Sequence, residues 1–205
     1  GLPLAPMLAT STEALPRGSG WAFEPKWDGY RALARVRDGK ATLSSRNGND
    51  LTTRFPGVAR AFALAVRAPS ALLDGEVCAL DETGRSDFGL LQRGDGALAF
   101  VAFDLLELDG EPLLQRTYLE RRDELMRLLD TSVVGVLLSP TFDDGAALEG
   151  SEDRDEELGA AREQQEHAVA LAHAEPAKRG RATPHGARQL AVGEGPSLPI
   201  PRDEA

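Results

Sequence analysis

Glu24-Pro25-Lys26-Trp27-Asp28-Gly29-Tyr30-Arg31 is the stretch on which the reading of this chain turns. The residues leading into it, Trp21 to Glu24, read as a strand, and Pro25 holds Glu24 in an extended conformation. If the strand continues, period-two alternation puts Glu24, Lys26 and Asp28 on one face, a lysine between two carboxylates. Gly29 then lets the chain turn and lets a ligand approach the backbone. Arg31 offers a planar, permanently charged fork suited to phosphate. A lysine amine is a nucleophile only when neutral, and with an ordinary pKa of about 10.4 only roughly one in a thousand is neutral near pH 7. Carboxylates raise that pKa and cations lower it, so a working Lys26 needs a metal ion or arginines beside it. The plain alternative is a surface strand whose lysine sits in an ion pair; the surrounding segments decide between the two.

Working outward, Arg31 to Arg37 and Ala41 to Ser45 read as strands joined by the hairpin turn Asp38-Gly39. Arg46-Asn47-Gly48-Asn49 is a further turn. Pro56 to Arg67 reads as a helix with Pro56 in its first turn and Val58, Phe62 and Ala65 on one face. Ala71 to Leu80 is a strand, followed by a turn over Asp81 to Gly84. Leu98 to Leu108 is a long strand ending at Asp109-Gly110, Tyr118 to Leu129 a charged amphipathic helix, and Val133 to Ser139 a last strand closed by Pro140. Strands dominate and helices interrupt them irregularly. The expected fold class is α+β, with largely antiparallel sheets and packed helices rather than a doubly wound parallel sheet.

Composition divides the chain. Residues 1–148 carry 16 Lys+Arg and 21 Asp+Glu, whereas residues 149–205 carry 7 and 12, so each region contributes −5 to the net charge of −10. Both Trp, both Tyr and all 7 Phe lie in the first region, and all 3 His in the second. A region without aromatic anchors, rich in Gly, Pro, Arg and Ala, is expected to be a disordered or helical tail, with an exposed helix over 155–173. His167 and His173 do not share a helix face at i, i+4 spacing, so no metal site is expected there. The lone Cys78, in the apolar run Val77-Cys78-Ala79-Leu80, excludes an internal disulfide and reads as a buried small hydrophobe. No run approaches the roughly 18 apolar residues of a membrane span, and Gly1 to Thr10 lacks the pattern of a signal peptide. The chain begins with Gly1 rather than Met, as a trimmed fragment would, and a cytoplasmic protein with no membrane partner is expected. The net charge counts against a free nucleic-acid binder unless a cleft is locally basic.

Four segments in order carry a resemblance: Lys26-Trp27-Asp28-Gly29-Tyr30-Arg31, Ser45-Arg46-Asn47-Gly48, Asp74-Gly75-Glu76 and Phe103-Asp104-Leu105-Leu106. Together they resemble the covalent nucleotidyltransferases and, within them, the ATP-dependent DNA ligases, above all the compact bacterial ligases of end joining and repair. Pro6-Met7-Leu8-Ala9 and Tyr118-Leu119-Glu120-Arg121-Arg122 also have the family's look, although Arg121 and Arg122 read as surface helix residues. A related RNA ligase or capping-type transferase shares the lysine motif, but Trp27 and Phe103 to Leu106 favour the DNA ligases.

The resemblance implies a nucleotidyltransferase (ATP-grasp-like ligase) core. It implies that Lys26 takes up AMP, that Glu24 lies beside the adenine, and that Arg31 contacts the ribose or the nick. Arg46 would reach phosphate, Glu76 the ribose and a metal, and Phe103 would stack on adenine. ATP and Mg2+ (or Mn2+) are the implied cofactors and nicked double-stranded DNA the implied partner, with nick sealing in repair or recombination as the activity. The likeness covers about residues 1–148, a partial ligase adenylation domain. The family pattern continues with a Glu-Gly strand and a pair of lysines one residue apart. Leu148-Glu149-Gly150 begins like the first, but Ser151-Glu152-Asp153 follows where apolar residues belong. The 3 lysines, Lys26, Lys40 and Lys178, cannot make the second. A frameshift or truncating rearrangement is the expected origin of the tail. The alternative function is a catalytically incomplete ligase remnant that at most binds ATP.

Overall fold

Residues 29–80 already contain the frame on which the site is built. The computed structural model describes residues 21–142 and 190–193. Strand β2 (Gly29–Arg37) turns back into β3 (Lys40–Ser45) through Asp38 and Gly39, whose φ values of 50° and 73° are those of a two-residue hairpin turn. The same device, Asp109 at 49° and Gly110 at 86°, joins β5 (Ala97–Leu108) to the short β6 (Glu111–Pro112). With β4 (Ser70–Leu80) these strands form a sheet ordered β3-β2-β4-β5-β6, all antiparallel, and β7 (Val136–Leu138) adds to β5 in parallel. The separate strand β1 (Trp21–Glu24) pairs antiparallel with β8 (Leu190–Gly193).

Among the described residues, three helices cap this frame. Helix α1 (Pro56–Ala65) starts at a proline and buries Val58, Ala59, Phe62 and Ala65, with Phe62 edge-on to Phe100 at 5.1 Å between ring centroids. Helix α2 (Phe88–Arg93) is short, opened by the Asp87 side chain accepting from Leu90 N and closed by Gly94 at φ 75°. Helix α3 (Tyr118–Leu128) starts with a reciprocal Thr117–Glu120 capping box. None of the described helices is long and apolar enough to cross a membrane.

The antiparallel register sorts side chains onto two faces. Ala32, Ala34, Val36, Leu73, Val77, Phe100 and Ala102 point into the main core with α1 and with Leu125 and Leu128 of α3. The intervening residues, Arg31, Leu33 and Arg35 on β2 and Asp74 and Glu76 on β4, occupy the opposite face. Cys78 lies on that second face, fully buried, in a smaller cluster with Trp27, Leu80, Ala99, Val101 and Leu137.

The α+β class and the largely antiparallel pairing agree with the sequence reading. Strand β1 ends at Glu24, as read, so the conditional continuation that would put Glu24, Lys26 and Asp28 on one face does not occur: residues 25–28 are irregular, because Pro25 supplies no N–H to a ladder and Trp27 turns inward. Helix α2 lies in a stretch without a long periodic signal. The last strand is confined to Val136–Leu138, after a Gly135 at φ 89°. The expected helix over 155–173 lies outside the described residues, as does the whole tail apart from Leu190–Gly193.

Candidate functional site

Lys26 lies in the loop between β1 and β2, and the two residues that follow it are fixed. Trp27 is buried, and its Nε1 donates to Ser139 Oγ at 3.0 Å. Asp28 N donates to Ser86 Oγ at 2.8 Å, and Asp28 Oδ2 accepts from Phe88 N at 3.3 Å. The lysine itself is exposed, an exposed amine on an anchored backbone. Gly29 is required where β2 begins, because a Cβ there would lie 2.2 Å from Val77 O and 2.9 Å from Glu76 Cγ.

Directly across from Arg31 in register is Glu76. Arg31 makes a fork-to-fork pair with Asp74, Nε to Oδ1 at 2.7 Å and Nη2 to Oδ2 at 2.5 Å, and its guanidinium lies 4.8 Å from the Phe103 ring centroid. Burial pushes the Asp74 carboxyl above its ordinary value, against the pull of Arg31. Glu76 is likewise pushed up to about 7 by burial, although Arg31 and Lys26 both favour its ionised form. The strand carrying these acids needs Gly75, since a Cβ there would meet Val101 O at 2.3 Å and the Phe100 ring at 2.5 Å. Where β4 runs beside β5 the register slips between Asp74 and Gly75, leaving Phe103 as an extra residue without a cross-strand partner. Such a bulge re-aims the side chain it carries, and here it turns the Phe103 ring under Arg31.

Glu24 ends β1 and is buried. Its Oε1 lies 3.5 Å from Arg122 Nη1 and has no hydrogen-bond partner among the described residues. Burial pushes its carboxyl up to about 7, opposed by Arg122 and by the Tyr118 hydroxyl. Arg46 is exposed in the turn that follows Ser45, and Ser45 pairs with Ala32, so Arg46 stands at the same end of the sheet as Arg31. Lys26, Arg31, Glu76 and Phe103 are thus brought together, Glu24 is linked to them through α3, and Arg46 lies at the rim.

Arg121 and Arg122 are not surface residues: they are 7% and 5% exposed. Arg121 grips Asp104 with two bonds of 2.8 Å and donates to Arg116 O. Arg122 donates to Phe103 O at 3.1 Å, to Ala102 O at 3.5 Å and, through a short contact, to Ser139 O. Helical spacing carried the signal that would have found this: Tyr118, Arg122 and Leu125 fall at i, i+4 and i+7, the stripe of a core-facing helix. Ser139 and Ser86, the anchors of the Lys26 loop, carry no comparable signal.

The chain matches the model of the ATP dependent DNA ligase domain over residues 6–149. It is similar to the multifunctional non-homologous end joining DNA repair protein LigD of Mycobacterium tuberculosis strain H37Rv, with 45% identity over 136 residues, covering 65% of this chain and 18% of that protein. LigD of Pseudomonas aeruginosa is 44% identical over 133 residues, covering 62% and 16%. The chain therefore spans less than a fifth of the length of these relatives. In structure it is similar to a mycobacterial DNA ligase D complexed with ATP and MES, with TM-score 0.62 and 36% identity, covering 74% of this chain and 51% of that one.

Proposed function

This chain belongs to the ATP-dependent DNA ligase family, and from that premise we propose that it is the adenylation part of a nick-sealing DNA ligase, with Lys26 as its nucleophile. The observation that carries the reading is the placement of Lys26. It is an exposed amine on a loop pinned at Trp27 and Asp28, and it acts electrostatically on Glu76, the residue across from Arg31 and its Phe103 platform.

In the first step the neutral Lys26 Nζ attacks the α-phosphorus of ATP. The N–P bond forms, the bond to the bridging oxygen breaks, and pyrophosphate leaves with that electron pair; the amine's surplus proton passes to solvent. A 5′-phosphate oxygen of nicked DNA then attacks the same phosphorus and the N–P bond breaks. Finally the 3′-hydroxyl attacks the 5′-phosphorus and AMP leaves. Arg31, with Arg46 at the rim, meets phosphate charge, and Phe103 and Glu24 take the base side. Preorganised charge of this kind is the usual main term in phosphoryl transfer.

The residues present fit a divalent cation. Both Asp74 oxygens are engaged by Arg31, whereas Glu76 holds a partly buried carboxylate that burial keeps protonated up to about 7 and that a cation would ionise. Mg2+ (or Mn2+) characteristically takes one or two carboxylates plus substrate phosphates and water, and when bound it would supply charge neutralisation at the triphosphate. The reading carries with it residues 1–148 as the adenylation unit, residues 149–205 as a distinct tail, and a cytoplasmic location.

Incubating the full chain with ATP labelled at the α-phosphate and Mg2+ or Mn2+, then denaturing it, tests the proposal. Label stays on the wild-type protein and is absent from Lys26→Ala. A folded wild-type chain that binds ATP and takes no label supports instead the remnant that only binds ATP.

A further inference from the structure

One guanidinium joins three of the elements that surround Lys26. Arg122, on α3, donates to the carbonyls of Phe103 on β5 and Ser139 after β7, and faces Glu24 at the end of β1. Ser139 in turn receives the indole N–H of Trp27, the residue after Lys26. Phe103 is the unpaired residue of a bulge, so its carbonyl depends on a donor from outside the ladder. A planar fork with five N–H donors can satisfy acceptors in several directions at once, which a lysine ammonium on a flexible stem does less well. Burying a charge so deeply is poor strategy for stability alone, since a well-packed apolar side chain often does as well or better. The neighbouring Arg121 makes the contrast: its fork is matched to a single carboxylate, Asp104, with one further bond to Arg116 O.

We propose that Arg122 is a positioning residue for nucleotide binding, fixing the Glu24 carboxyl and the bulged Phe103 as two walls of one subsite. The inference rests on the reading of this face as a nucleotide site. Glu24 Oε1 is buried, lies 3.5 Å from Arg122 Nη1 and has no hydrogen-bond partner among the described residues, so the ion pair with Arg122 is what holds that side of the carboxyl. Tyr118 and Arg122 of α3, Asp104 of β5 and Arg31 of β2 all act on the Glu24 carboxyl, so Arg122 also sets the pH at which it ionises.

The test is equilibrium binding of α,β-methylene-ATP, which cannot transfer AMP, to the full chain across pH. Wild type is compared with Arg122→Met and Arg122→Lys, and thermal unfolding checks that each is folded. Arg122→Met binds roughly tenfold more weakly, with its pH profile displaced upward because Glu24 has lost its nearest cation. A merely structural role would lower the melting temperature without moving that profile. If Arg122→Met does not fold, Arg122→Lys decides, binding roughly threefold more weakly. A folded variant with wild-type affinity and pH profile overturns the proposal. A folded wild-type chain that does not bind the analogue overturns the nucleotide-site reading, and this inference with it.

Discussion

Strands β2, β4 and β5 present two faces of opposite character. Towards α1 the side chains are Ala32, Ala34, Leu73, Val77 and Phe100, each fully buried. One residue along each strand, facing the other way, stand Arg31, Asp74, Glu76 and Phe103. The difference teaches that fold and site are written in alternate letters of the same strands. Stability should therefore follow one set of substitutions and chemistry the other. The ion pairs divide similarly, Arg121–Asp104 being nearly inaccessible and Arg93–Asp95 open to solvent.

The sharpest way to break this division is to attack the packed face. Phe62→Ala removes the ring that meets Phe100 edge-on and is expected to cost about 3–5 kcal/mol by chemical denaturation. A cost below about 1 kcal/mol would mean that α1 does not seal the core. Next comes Asp104→Ala, which removes the buried carboxylate that takes two bonds from Arg121; about 3 kcal/mol is expected in the same assay. A neutral outcome would show that water or another group reaches that guanidinium.

Proton linkage sharpens the comparison on the charged face. Glu24 and Glu76 are both pushed up by burial to about 7 from an ordinary 4.5, so the folded chain binds these protons more tightly than the unfolded one. Their contribution to stability is fully present below about pH 4.5 and is lost as pH rises through about 7. Each is worth on the order of 1–3 kcal/mol across that window. Glu76→Gln should flatten the fall, read as melting temperature against pH; an unchanged slope would place Glu76 in water. The smallest effect is expected at exposed charges. Arg93→Ala and Lys26→Ala should each change stability by less than about 0.5 kcal/mol, and a larger loss at Lys26 would make it a structural residue.

Much of this arrangement was legible in the residues. Asp38-Gly39 and Asp109-Gly110 marked the ends of their strands, and in the structure both positions of each pair adopt positive φ. Lys26, Arg31, Glu76 and Phe103 could be named because each lies in a segment that resembles a motif of the ATP-dependent DNA ligases. What stayed hidden depends on partners far apart in sequence. That Trp27 reaches Ser139, 112 residues away, leaves no local trace. Arg122 was read as a surface residue because charge was given more weight than its place on the buried stripe of α3. Strand β1 ends at Glu24 as read, so the face shared by Glu24, Lys26 and Asp28, conditional on its continuing, does not form; Pro25 is the local reason and the burial of Trp27 the distant one.

The central claim is that the anchored Lys26 is the nucleophile. The direct measurement is to digest the full chain after incubation with ATP and Mg2+ and to map the AMP adduct by mass spectrometry, under alkaline conditions that preserve an N–P bond. The account predicts a single acid-labile adduct on the peptide containing Lys26. An adduct on Lys40, exposed at the start of β3, or on any residue other than Lys26 would contradict it.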